Sequence, residues 1–152
     1  MYGGGDGETT DDRRPTTEKG TSTYKPAANS HVLIIDNIGM LSKLYHYAHI
    51  TYIGGGFGEE GIHNVLEPAV FGKPVIYGPV YEKFAEAVEL VDCGAGISIY
   101  NALELEHVLN ELWAETALLQ AKSEAAKKYV YSKAGATQKV MAYIHEKRLL
   151  TN

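Results

Sequence analysis

The chain has 152 residues and a mass of 16.6 kDa, one domain by length and enough to bury roughly 70% of the surface its unfolded form exposes. Fourteen basic against nineteen acidic residues leave a formal charge of −5, which excludes a general nucleic-acid binder, because phosphate neutralisation needs a basic face. The single cysteine, Cys93, excludes an internal disulfide and points to a reducing compartment.

No apolar run approaches the roughly 20 residues that span a bilayer, and the N-terminus lacks a signal peptide's apolar stretch. The expectation is a soluble, cytoplasmic domain. Residues 1–30 are Gly, Thr, Asp, Glu, Arg and Lys with almost no large aliphatic side chain. They cannot bury enough apolar surface to offset their ordering entropy, so this segment reads as disordered, or partly an artefact of expression.

From His31 onward strands and helices alternate. His31-Val32-Leu33-Ile34-Ile35 is an apolar run ended by Asp36, and Ile50-Thr51-Tyr52-Ile53 another, ended by three glycines. Pro74-Val75-Ile76-Tyr77 runs into Gly78-Pro79, and Gly96-Ile97-Ser98-Ile99 is a weaker fourth strand. Continuous rather than alternating apolar strands predict burial on both faces, hence a parallel sheet. Helices are expected over residues 38–47, 64–71 and 82–91, with Gly72 and Gly94 as C-caps.

The rest is helical. Leu105, Val108, Leu109, Leu112 and Trp113 recur at helical spacing behind a capping box of Asn101 and Glu104. An alanine-rich helix is expected over 116–131, and a last one over 137–149 with Val140, Tyr143 and Ile144 on one face. The fold class is α/β, an open parallel sheet with a helical C-terminal tail. The eleven tyrosines are assigned to core edges and surface, and Cys93 to a small buried filler without a catalytic role.

In such a sheet, ligands bind at the carboxyl ends of the strands. Gly54-Gly55-Gly56-Phe57-Gly58-Glu59-Glu60-Gly61 leaves a strand and runs toward a helix beginning near His63-Asn64. Its five glycines allow close backbone approach, and a helix N-terminus suits a phosphate. Glycine-rich turns also serve purely structural ends here, and the spacing matches neither the dinucleotide fingerprint nor the P-loop. Glu67 either complements the helix dipole or accepts hydrogen bonds from ribose hydroxyls; Asn64 is a phosphate neighbour or an N-cap. His63 reaches the phosphate or is an ordinary polar loop residue. His46 and His49 lack companions at metal-ligand spacing, so no metal is expected.

Asp36-Asn37-Ile38-Gly39-Met40-Leu41, the strand into Gly54-Gly55-Gly56-Phe57, Gly61-Ile62-His63-Asn64-Val65-Leu66-Glu67-Pro68-Ala69, and Gly72-Lys73-Pro74-Val75-Ile76-Tyr77-Gly78-Pro79 closely resemble Kdo (3-deoxy-D-manno-octulosonic acid) transferase. That family consists of GT-B glycosyltransferases of lipopolysaccharide synthesis. The similarity covers roughly residues 31–149, and its most specific part is the His-Asn-x-Leu-Glu-Pro-Ala segment. The resemblance implies part of a Rossmann-like C-terminal domain over 31–152 that binds CMP-Kdo, with no other cofactor. It implies a lipid A precursor as acceptor, through an N-terminal domain, at the cytoplasmic face of the bacterial inner membrane; membrane contact would come only through the full-length protein. By the same resemblance Glu67 holds the donor ribose, and Gly55, Gly56, Phe57, His63 and Asn64 surround phosphate and sugar. Ile38, Gly39 and Met40 lie near base and phosphate, and the last helix packs on the N-terminal domain. Many members carry glutamate where this chain has Met40 and threonine where it has Asn37. The family's general base, a glutamate of the N-terminal domain, has no counterpart, so no catalytic residue is expected and the chain alone should be inactive.

Two other readings compete. A GT-B transferase or epimerase using a UDP-sugar keeps the fold and changes the donor. A non-enzymatic receiver-like signalling domain also ends a strand in an aspartate, here Asp36. That class needs an acidic cluster and a lysine after a later strand, where this chain has Asn37-Ile38 and Gly78-Pro79.

Overall fold

A computed structural model describes residues 31–149. The chain divides into two units, Met1–Asp36 and Asn37–Asn152. The expectation for residues 1–30 lies outside the described residues.

Among its described residues the second unit holds three short strands, β1 (Thr51–Ile53), β2 (Val75–Tyr77) and β3 (Gly96–Ser98). They form a parallel sheet in the order β1-β2-β3, in a register that sets Tyr52 beside Ile76 and Ile76 beside Ile97. Six helices accompany them: α1 (Leu41–Leu44), α2 (Leu66–Val70), α3 (Ala85–Asp92), α4 (Ala102–Ala114), α5 (Thr116–Lys133) and α6 (Ala136–Lys147). The parallel α/β class and the helical tail are as the sequence predicts. None of the helices is long and apolar enough to cross a membrane, among the described residues.

Alternation along the strands splits the core in two. Ile53, Val75 and Tyr77 face one layer with Ile62, Val65, Ala69, Ala87, Leu90 and Ala126. Ile76 faces the other with Ile99 and Leu112, packed by Ile97, Leu105, Val108 and Leu119. Thr51 sits buried beside the first layer, and its hydroxyl donates to the Pro74 carbonyl at 2.8 Å, so it carries no unpaired polar atom. The capping box forms: Asn101 Oδ1 accepts the Glu104 amide at 3.0 Å, and the Glu104 carboxylate accepts the Tyr100 amide at 2.9 Å. Gly72 and Gly94 end α2 and α3 at φ +64° and +83°, where a side chain would be strained.

Four expectations fail. Residues 31–35 carry no strand and are exposed, although their apolar run resembles the others. Apolar character lets a segment pair but does not by itself set it in a regular ladder. The helix expected over 38–47 shrinks to the four residues of α1. Cys93 is exposed at the end of α3 rather than buried. Tyr77 belongs to the centre of the core, fully buried, because its hydroxyl reaches the Ala87 carbonyl at 2.7 Å. Burial and the neighbouring Tyr81 hold its phenol well above the usual tyrosine range.

Candidate functional site

β1 delivers the chain to the carboxyl edge of the sheet, where residues 54–63 form a closed loop. Gly55 turns at φ +90° and Gly61 at φ +88°. The Gly58 amide donates to the Gly55 carbonyl at 2.9 Å, the Gly61 amide to Gly58 at 3.2 Å, and the His63 amide returns to Gly54 at 3.1 Å. The His63 ring lies over the loop's start, 3.4 Å from where a Cβ on Gly55 would stand. This loop encloses a concavity of about 380 Å³ lined by Gly55, Phe57, Gly58, Glu59, Glu60, Gly61 and His63.

The exit of β2 braces it. The Val80 amide donates to the Gly56 carbonyl at 2.9 Å, and Lys83 Nζ to the Glu59 carbonyl at 2.9 Å. A side chain on Gly61 would collide with Phe84 and Lys83, so glycine is required there for space as well as for its backbone angle. The concavity thus combines backbone polar groups, one exposed aromatic ring, an imidazole, two carboxylates on its rim and an ammonium just behind it.

The expected site residues fall into three sets. Gly55, Phe57 and His63 line the concavity together, and Gly56 is buried directly beneath them. Asn64 and Glu67 lie past it, at the start of α2. Asn64 Oδ1 accepts the Leu66 amide at 2.9 Å, and Asn64 Nδ2 donates to Glu67 Oε1 at 3.3 Å. Asn64 Oδ1 thus holds the Leu66 amide from just ahead of α2, whose N-cap is Val65, and with five residues that helix has only a small dipole to offer an anion. Ile38, Gly39 and Met40 form a separate turn before α1, with Gly39 at φ +92° and Asn37 Nδ2 donating to Met40 Sδ at 3.0 Å. Just past α1, the Tyr45 ring lies tilted against Phe71, their centroids 6.3 Å apart. Burial raises the Tyr45 pKa, and the Glu67 carboxylate adds to the effect.

Gly61, Gly78, Lys83 and Tyr45 join this region without having been singled out as site residues. Gly61 and Gly78 carry a signal: Gly61 is one of the five glycines of the 54–61 loop, and Gly78 directly follows β2. Lys83 and Tyr45 had none, since only the folded chain brings them against Glu59 and Glu67.

The arrangement defines a class: a Rossmann-like α/β unit whose glycine loop and cavity lie at the carboxyl edge of a parallel sheet. No family model matches the chain. It is 42% identical over 82 residues to the 3-deoxy-D-manno-octulosonic acid transferase of Aquifex aeolicus, covering 53% of this chain and 23% of that protein. It is 32% identical over 118 residues to the transferase of the same name from Bordetella pertussis, covering 77% and 28%. Its fold matches the crystal structure of the C-terminal CMP-Kdo binding domain of WaaA from Acinetobacter baumannii, with a TM-score of 0.58 and 28% identity, over 63% of this chain and 51% of that one. By sequence and fold the chain belongs with the Kdo transferases, as a counterpart of part of their C-terminal domain. It spans about a quarter of the length of the curated relatives it matches.

Proposed function

We propose that this chain supplies part of the donor site of a Kdo transferase and holds CMP-Kdo at the glycine loop. The observation that carries the reading is the closed 54–63 loop with its concavity, at the sheet edge where this fold binds ligands. The named relatives and the CMP-Kdo binding domain support it.

In this reading Gly55, Gly56 and Phe57 bring backbone close to the donor phosphate, and His63 leans over it. Glu67, already oriented by Asn64, accepts hydrogen bonds from the ribose hydroxyls. Ile38, Gly39 and Met40 close the side toward the base. As the bond to CMP breaks, negative charge grows on the leaving phosphate, and fixed N–H dipoles stabilise it. Inversion at the sugar needs a base within hydrogen-bond reach of the acceptor hydroxyl. Glu67 is occupied with the ribose, and Glu59 and Glu60 sit on the loop rim, so that base and the lipid A precursor belong to another domain. The chain alone is therefore inactive, and the whole enzyme works at the cytoplasmic face of the inner membrane.

The test is a nucleotide panel titrated into the chain. Preference for CMP over UDP, GMP and AMP is expected. Preference for UDP would replace this reading with a UDP-sugar transferase or epimerase.

A further inference from the structure

We propose that Lys83 is a positioning residue for the anion held at the glycine loop. It turns the 59–60 peptide so that the Glu60 N–H serves the concavity, and its charge offsets the two carboxylates on the rim. The inference rests on the donor-site reading above and names a further residue for that site.

An anion meets an unfavourable rim here. Glu59 and Glu60 both line the concavity and both are exposed, and like charges repel. A phosphate at this place therefore needs a cation close by, or N–H groups turned toward it. Lys83 supplies the cation. Its stem runs across Gly61, with Cε 2.8 Å from where a Cβ on that glycine would stand. Its ammonium donates to the Glu59 carbonyl at 2.9 Å and lies 5.6 Å from the centre of the Phe84 ring. Neither partner is charged, and no carboxylate pairs with Lys83 among the described residues. Its full charge stays available beside the loop.

The same bond orients a donor. The C=O and N–H of a planar trans peptide point in opposite directions. With the Glu59 carbonyl held by Lys83, the Glu60 N–H points away from that side chain. Glu60 lines the concavity and Lys83 does not, so this N–H is turned to the concavity side. It donates to no acceptor among the described residues, whereas the Gly58, Gly61 and His63 amides are all used within the loop. In a glycine-rich loop an unheld peptide is free to flip. The flipped form would show the anion a carbonyl oxygen in place of the N–H.

The experiment titrates CMP into the isotopically labelled chain and its variants. Lys83→Met keeps the stem and drops the charge and the bond. It should weaken CMP binding about two- to fivefold, the range of an exposed charge, and abolish the shift that CMP induces in the Glu60 amide. Lys83→Arg should restore both, and Glu60→Gln should tighten binding by a similar factor. The gap between the unmodified chain and Lys83→Met should close at about 1 M salt, where the screening length is about 3 Å. Equal losses in low and high salt would reduce Lys83 to packing and overturn the proposal. So would wild-type affinity in Lys83→Met while CMP still shifts residues 54–67, an outcome that leaves the donor-site reading standing. A chain that binds no CMP at all overturns both.

Discussion

Gly56 and Gly78 occupy each other's side-chain space. A Cβ on Gly78 would come within 2.5 Å of the Gly56 carbonyl oxygen, and one on Gly56 within 2.7 Å of the Gly78 nitrogen. The exits of β1 and β2 therefore meet backbone to backbone, and the Val80 amide bonded to Gly56 fixes the contact.

Gly78→Ala should cost about 1–3 kcal/mol, as overpacking does where backbone cannot yield. It should also displace the loop, moving the amide signals of Gly56 and Gly58 more than those of α4. Chemical denaturation with an amide spectrum checks both. Wild-type stability with an unmoved loop would mean that the two exits are not in contact.

Glu89 ties α3 to α5. Its carboxylate accepts the Tyr129 hydroxyl at 2.6 Å and pairs with Lys133 Nζ at 2.9 Å. The Tyr129 hydrogen bond, followed by the Lys133 one, holds the Glu89 pKa below the usual carboxylate value. Burial first, then Glu89, pushes the Tyr129 phenol well above its usual range. The Glu89 contribution is thus present at neutral pH and lost as pH falls through its lowered pKa. The Tyr129 contribution is complete below the ordinary phenol pKa and lost as pH rises through the raised one. Tyr129→Phe should return the Glu89 pKa toward the ordinary value, and Lys133→Met should do so less. Carboxyl carbon titration measures both; an unmoved Glu89 in the Tyr129 variant would contradict the assignment.

Glu67→Gln, made in an intact Kdo transferase carrying this segment, should weaken donor use roughly 10–150-fold, the equivalent of a charged hydrogen bond worth about 1.5–3 kcal/mol. Steady-state kinetics in CMP-Kdo checks it. Unchanged donor dependence would leave Glu67 only its bond with Asn64.

α6 should exchange its amides fast. It contains no buried residue, and Val140 and Tyr143 on its apolar stripe are exposed. A helix without tertiary packing has little to stabilise it beyond its own propensity. Hydrogen exchange should rank it well below α3 and α4. Slow exchange across α6 in a proven monomer would mean that its apolar face is covered.

The strands at 50–53, 74–77 and 96–99 were legible because each is a short apolar run stopped by glycine or a polar turn, and each finds a parallel neighbour. Residues 31–35 share that pattern but carry no strand; apolar character makes a segment able to pair without setting it in a regular ladder. Tyr77 lies deeper than the core edges and surface to which the tyrosines are assigned, because the folded α3 supplies the Ala87 carbonyl that lets its hydroxyl be buried. In the site, the glycine loop was readable from spacing. The brace from Lys83 to Glu59 depends on how far the loop folds back, which no local pattern encodes.

The central claim is that a cytidine nucleotide binds at the carboxyl edge of this sheet. Titrating CMP into the labelled chain and mapping amide shifts tests it most directly. The account predicts weak, saturable binding with the largest shifts in residues 54–67, centred on Gly55, Phe57 and His63. Shifts confined to α4, α5 and α6, or none at saturating nucleotide, would contradict it.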